Sequence, residues 1–283
     1  MSRTTLALVL LVAAACTDDS VELSYSLQPG RPLRYQLSLD ARVLRTLEGD
    51  TREQSVQATF LAGQQIEEPL PGGGARATFS LQPQSLVVDG RTVDPGEAQE
   101  FEVDLGPDGR VVAIAQPAQP AEPAEPPTDE DGTEAVAALG IERLLPRLRP
   151  VLPGEPVRTG EGWSSSTRFT DEDGQFSLSL DSRLTRLGVE DGYRAAMVRT
   201  SYVSPVDRRE TFVNAVAEVQ GTDEGVQQAW FSLEGFLIRS VGDSVGRYQV
   251  TFRPPGGEAG LAPVQGALDV QLHTELVLLG GGS

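Results

Sequence analysis

The 283-residue sequence contains no lysine, and all 23 of its basic residues are arginine. Schiff-base chemistry and the lysine of a phosphate-binding loop are therefore excluded together. There is one histidine, His273, and one cysteine, Cys16, so a single chain cannot assemble a zinc site of the His/Cys type. No disulfide can form within the chain either, which leaves core packing and backbone hydrogen bonds to hold the fold. Basic charge is scarce overall: 41 acids give a formal charge of −18 and a pI near 4.4. That balance opposes binding to nucleic acid or, by the folded domain itself, to anionic lipid. The longest apolar run, Leu6 to Ala15, is about half of the roughly 20 residues that a membrane-spanning helix requires.

What is present begins with an address. The opening "MSRTTLALVLLVAAACTDDS" has a basic residue, an apolar stretch, small residues at Ala13–Ala15 and then Cys16. This is the pattern of a secretory signal peptide over residues 1–15. "AAAC" resembles the bacterial lipobox, with Ala13 where that signal usually has Leu. The resemblance implies cleavage before Cys16, diacylglycerol on its thiol, and acylation of the new amino terminus. Several acyl chains anchor a protein durably, whereas one is marginal. Residues 16–20 then form a tether, and the expected place is the periplasmic or cell-surface side of a bacterial membrane.

The mature chain reads as mainly β. Leu33, Tyr35, Leu37, Leu39, Ala41 and Val43 alternate with Arg34, Gln36, Ser38, Asp40 and Arg42, the period of a half-buried strand. After the turn "LEGDTREQ", Val56, Ala58, Phe60 and Ala62 continue the pattern as a hairpin partner. Asp-Gly in "SLVVDGRTV" and Pro-Asp-Gly in "FEVDLGPDGRVVAI" mark further hairpins. An N-terminal β half over 21–115 is followed by a Pro- and acid-rich linker over 116–132. A helical segment spans 133–155, with Ala138, Ile141, Leu145 and Leu148 at helical spacing and with Pro146 and Pro150 limiting it to one or two short helices. A second β half spans 156–283. The expected fold is a large curved antiparallel sheet or half-barrel in two related halves. The suggestion of relatedness comes from "LSLDARVL" at 37–44 and "LSLDSRLT" at 178–185, read as the opening strand of each half.

"PVRTGEGW", residues 156–163, resembles a family of uncharacterised bacterial envelope lipoproteins with two β-rich halves around a central helical segment. The layout is also similar to envelope lipoprotein-carrier folds, in which a curved sheet wraps a helix and shelters acyl chains. Neither resemblance brings an assigned active site.

Candidate chemistry is sparse. "GDSVG", residues 242–246, matches a nucleophile elbow at Ser244, with Asp269 and His273 following in hydrolase order. Strand-like sequence follows Ser244 where an elbow needs a helix, so Gly242-Asp243 reads better as a hairpin turn and His273 as an exposed side chain. "TDEDG" occurs at 128–132 and 170–174; counted from Asp171, position 4 is Gly and position 12 is Ser182, which departs from the EF-hand ligand spacing and leaves acidic glycine turns or a looser calcium site as the readings. Trp163 and Trp230 read as packing residues, Trp230 within the core. The expectation is a non-catalytic lipoprotein with no catalytic, cofactor or metal residues, binding a hydrophobic ligand or an envelope protein. The alternatives are a structural or assembly lipoprotein and a serine esterase using Ser244.

Overall fold

The structure is a computed structural model, which describes residues 20–30, 32–115, 141–171, 174–211, 216–253 and 263–280. The leader, Cys16 and the 116–132 linker lie outside the described residues, as does the first copy of "TDEDG"; the second copy is described only in part. Twelve antiparallel strands form one sheet. In chain order they are β1 (Leu33–Leu47), β2 (Asp50–Pro69), β3 (Ala75–Val88), β4 (Arg91–Val93), β5 (Gln99–Leu105), β6 (Val111–Ala115), β7 (Gly162–Asp171), β8 (Gly174–Glu190), β9 (Tyr193–Thr211), β10 (Val216–Ser232), β11 (Leu237–Arg253) and β12 (Val264–Leu278). The one described helix, α1, spans Ile141–Leu148. No helix among the described residues is long and apolar enough to cross a membrane.

The strand order is β6-β5-β3-β2-β1-β12-β11-β10-β9-β8-β7, with β4 hung on β3. Because β12 returns to pair with β1 along Tyr35–Leu47, the two halves share one continuous sheet. The sheet curls until its outer strands β6 and β7 lie alongside one another, giving a nearly closed barrel. Arg110 reaches from the β5–β6 turn to donate to the Ser166 carbonyl of β7 at 3.4 Å.

Turn chemistry sets the hairpin registers. Glu48-Gly49, Asp89-Gly90 and Asp191-Gly192 each have two successive positive φ angles (50 and 94°, 49 and 76°, 47 and 83°), the tight turn whose twist suits flanking strands. Gly242-Asp243 is not such a turn. β11 runs unbroken through residues 242–246, and the chain instead reverses at Leu233–Phe236, where Ser232 N–H bonds the Phe236 carbonyl at 2.8 Å. The reversal needs an αL residue and finds it in Gly235, while Gly242 merely occupies a strand position facing Thr274.

The repeated octet has the expected burial. Leu39 and Leu180 are both 3% exposed, while Asp40 and Asp181 lie on the outer surface. Their places in the chain order differ: β1 opens its half, but the second octet lies on β8, preceded by β7. Alternation along any amphipathic strand is enough to produce that shared burial.

The barrel interior is filled by chain outside the sheet. Val21 and Val157 pair through backbone bonds of 2.8 and 3.0 Å, and Ser26 N–H bonds the Gly235 carbonyl at 2.8 Å, so residues 21–26 cross one end of the barrel. α1 places Leu144, Leu145 and Leu148 in the main apolar cluster with Leu37, Phe60 and Phe101. Pro146 lies inside its last turn, and the helix ends two residues before Pro150, which lacks the donor that continuation requires.

Candidate functional site

The barrel wall is chemically two-sided. On β1, β2, β3 and β5 the inward residues are almost all apolar, Leu37, Leu39, Val56, Phe60 and Val103 among them. On β9 to β12 the inward positions include Thr200, Ser204, Asp223, Gln227, Ser240 and Thr274, all buried. Such groups need partners when removed from water. Gln227 Nε2 donates to Ser240 Oγ at 2.9 Å, Ser182 and Thr200 share a hydroxyl bond of 2.9 Å, and Ser204 Oγ donates to the Ser177 carbonyl at 2.8 Å.

At the centre of this polar wall, Arg147 from α1 meets Asp223 of β10. Nη1 lies 2.5 Å from Oδ2, and the two side chains are only 9% and 10% exposed. The Arg147 guanidinium also lies over the Phe176 and Tyr202 rings, at 5.6 and 5.5 Å. Burial opposes its charge, but Asp223 and the neighbouring tyrosines more than offset that, so its pKa is held above the ordinary value. Tyr248 hydrogen-bonds Asp223, and Tyr202 hydrogen-bonds Ser244; burial pushes both phenols upward, leaving them neutral at physiological pH. Glycines provide the space for these rings. A Cβ on Gly225 would come 2.6 Å from the Tyr202 ring, and one on Gly246 would run into the Tyr248 hydroxyl oxygen.

Two residues along the same segment, Arg149 enters the apolar side. It is 5% exposed. Its Nη1 donates to Gln64 Oε1 of β2 at 3.1 Å, and its guanidinium lies over the Tyr25 and Phe79 rings, 4.6 and 5.6 Å from their centroids. Tyr25 donates its own hydroxyl proton to the Pro150 carbonyl at 2.7 Å. The stretch "PRLRP" thus delivers two cations to opposite walls of one interior.

The residues singled out from sequence fall elsewhere or apart. Ser244 is paired with Leu272, and His273 with Asp243 and Asp40. Adjacent strand positions face opposite ways, so Ser244 points into the barrel and His273 out of it. His273 Nδ1 instead meets Asp243 Oδ1 at 2.8 Å on the exposed surface. Asp269, four residues back along β12, is about 13 Å away at strand rise. No Ser-His-Asp relay is assembled. Among the described residues no group of His, Cys, Asp and Glu is placed to hold a metal ion.

Trp163 is half-buried, with Nε1 donating to the Val151 carbonyl at 2.8 Å. Trp230 is not an interior core residue. It lies half-buried on the outward face of β10, beneath the Arg239 guanidinium at 5.4 Å, because its even position faces away from Ala229 and Phe231.

The polar wall had a signal in the sequence: Asp223, Gly225 and Gln227, and Ser240, Gly242, Ser244 and Gly246, recur at period two. Only strand pairing shows that these small and polar positions face inward together. A scan against protein-family models and a search of the curated proteins found no match.

Proposed function

We propose that this chain is a non-catalytic, lipid-anchored envelope lipoprotein whose barrel-like sheet binds a hydrophobic ligand or an envelope partner. The supporting observation is that a short helix and the stretch after it, rather than the sheet's own side chains alone, occupy the interior. The α1 leucines cover the apolar wall, and the segment's buried arginines end on the polar wall and beside Gln64. When α1 swings away with Arg147, it leaves behind an amphipathic interior, with Arg149 retained by the anchored chain at Pro150 and Val151. Attachment through Cys16 keeps that interior at a membrane, and the acidic domain adds no membrane affinity of its own. Nucleic acid is not a partner on this reading.

The alternative is a structural or assembly lipoprotein with no small-molecule site, in which α1 is a permanent part of the core. The two are separated by the lipid content of protein purified from the envelope. Stoichiometric extractable lipid beyond the covalent anchor supports the first, and its absence from membrane-extracted and reconstituted protein alike supports the second. For the anchor, Cys16→Ser should abolish incorporation of labelled fatty acid and move the protein out of the detergent phase. Unchanged partitioning of that variant would refute it.

A further inference from the structure

Arg149 is a buried cation whose charge the described residues leave uncompensated. Arg147, two residues earlier, has Asp223 at 2.5 Å. Arg149 has the neutral amide of Gln64, the hydroxyl of Tyr25 and two ring faces. Its Nε is buried without an acceptor. Asp108, a carboxylate that acts on the neighbouring Tyr25, is already paired with Arg110, whose Nε lies 2.8 Å from Oδ2. The two nearby phenols do not supply the missing negative charge. Burial raises the pKa of both Tyr25 and Tyr35, and their hydroxyls donate to the Pro150 and Leu237 carbonyls. A guanidinium removed from water without an anion is costly, and ring faces and neutral acceptors recover only part of that cost.

We infer that Arg149, one residue past α1 and held in place by the bonds of Tyr25 to the Pro150 carbonyl and of Trp163 to the Val151 carbonyl, is the receptor for the headgroup of a single-chain anionic amphiphile, whose apolar chain lies on the wall uncovered when α1 alone swings away. This rests on the ligand-binding reading above and names the chemistry of the ligand. The planar fork of arginine matches a carboxylate or phosphate through two parallel donors. Nε, which lacks an acceptor, is one of the donors available for such a pair. The neighbouring surface suits the rest of the molecule: Phe79 and Tyr35 belong to the apolar cluster that also contains Leu144, Leu145 and Leu148. Palmitate and an alkyl phosphate share this chemistry.

The test titrates the full chain, stripped of free lipid, with palmitate, hexadecyl phosphate and hexadecanol by calorimetry. At least one anion should bind tenfold or more tightly than hexadecanol, and the tighter of the two identifies the headgroup. Arg149→Met should bring the three ligands within about twofold of one another by removing the charge at similar volume, while Arg149→Lys should retain part of the preference. Equal binding of all three to the wild type would overturn the anion site while leaving a hydrophobic-ligand function standing. A preference that survives in Arg149→Met would also overturn it. Binding of none would overturn both the site and the ligand-binding reading. The wild-type comparison decides the matter even if a variant fails to fold.

Discussion

Removing Asp223 should be among the most damaging single substitutions in this protein. Its carboxylate is the partner of Arg147 at 2.5 Å, with both side chains about nine-tenths buried. It also accepts the Tyr248 hydrogen bond. In Asp223→Ala the guanidinium stays inside the barrel, held by α1, with its Nε already unpaired. Leaving one member of a buried pair without its partner costs about 3–5 kcal/mol. With a urea m-value on the order of 3 kcal/mol/M, the unfolding midpoint should fall by about 1–1.7 M. Arg147→Met alone should cost a similar amount, because it strands the carboxylate and loses the contacts over Phe176 and Tyr202. The double variant Arg147→Met, Asp223→Leu should recover most of the loss, since an apolar pair of comparable volume often matches or exceeds a buried ion pair. The assay is equilibrium urea denaturation of these proteins and of Asp223→Leu, which with wild type, Arg147→Met and the double variant closes a double-mutant cycle. Additive losses, or an Asp223→Ala cost under about 1 kcal/mol, would refute the claim that this pair joins α1 to the barrel wall.

The remaining expectations are simpler. Leu39→Ala and Leu180→Ala should each cost roughly 2–5 kcal/mol, whereas Asp40→Ala and Asp181→Ala should change stability by less than about 1 kcal/mol, since their partners Gln57 and Ser164 are exposed too; denaturant midpoints decide. Gly225→Ala forces a methyl against the Tyr202 ring and the Asp243 carbonyl oxygen, 2.6 and 2.7 Å away, and should lower stability by about 1–3 kcal/mol; an unchanged melting temperature contradicts the packing described. The buried Tyr35 and the half-buried Tyr248 hold pKa values raised by desolvation. Above pH of about 10 the unfolded chain therefore loses phenolic protons that the folded chain keeps, so stability present below that pH declines as pH rises. A melting temperature that stays flat or rises through this range would reverse the assigned sign. Purified protein should hydrolyse small esters no faster than its Ser244→Ala variant, because Ser244 and His273 face opposite ways; Ser244-dependent turnover would contradict that arrangement.

Period-two alternation made most of the β architecture legible before any strand was paired. A residue such as Leu37 or Leu276 must leave water, and its neighbours Ser38 and Glu275 must not, so strand identity and facing follow from local chemistry. Asp89-Gly90 and Asp191-Gly192 likewise announce tight turns, because few other pairs accept two positive φ angles. The absence of lysine and the single His273 restricted the available chemistry just as directly. Gly242-Asp243 misled because the same dipeptide chemistry suits a turn or a strand position facing a crowded neighbour, and strand length decided between them.

Other features depended on closure of the sheet. That Asp223, Ser240 and Ser244 face a common interior depends on the registers of β9 to β12. The choice of Arg147 for Asp223 and of Gln64 for Arg149 depends on where a short helix, stopped by its prolines, is held inside the curve. These partners are 76 and 85 residues apart along the chain. Periodicity reports which face of an element is wet or dry, but whether a polar residue on a dry face finds a partner is set by residues distant in sequence. Two arginines separated by Leu148 therefore look alike in the sequence, and only the folded barrel gives one a carboxylate and the other a neutral amide.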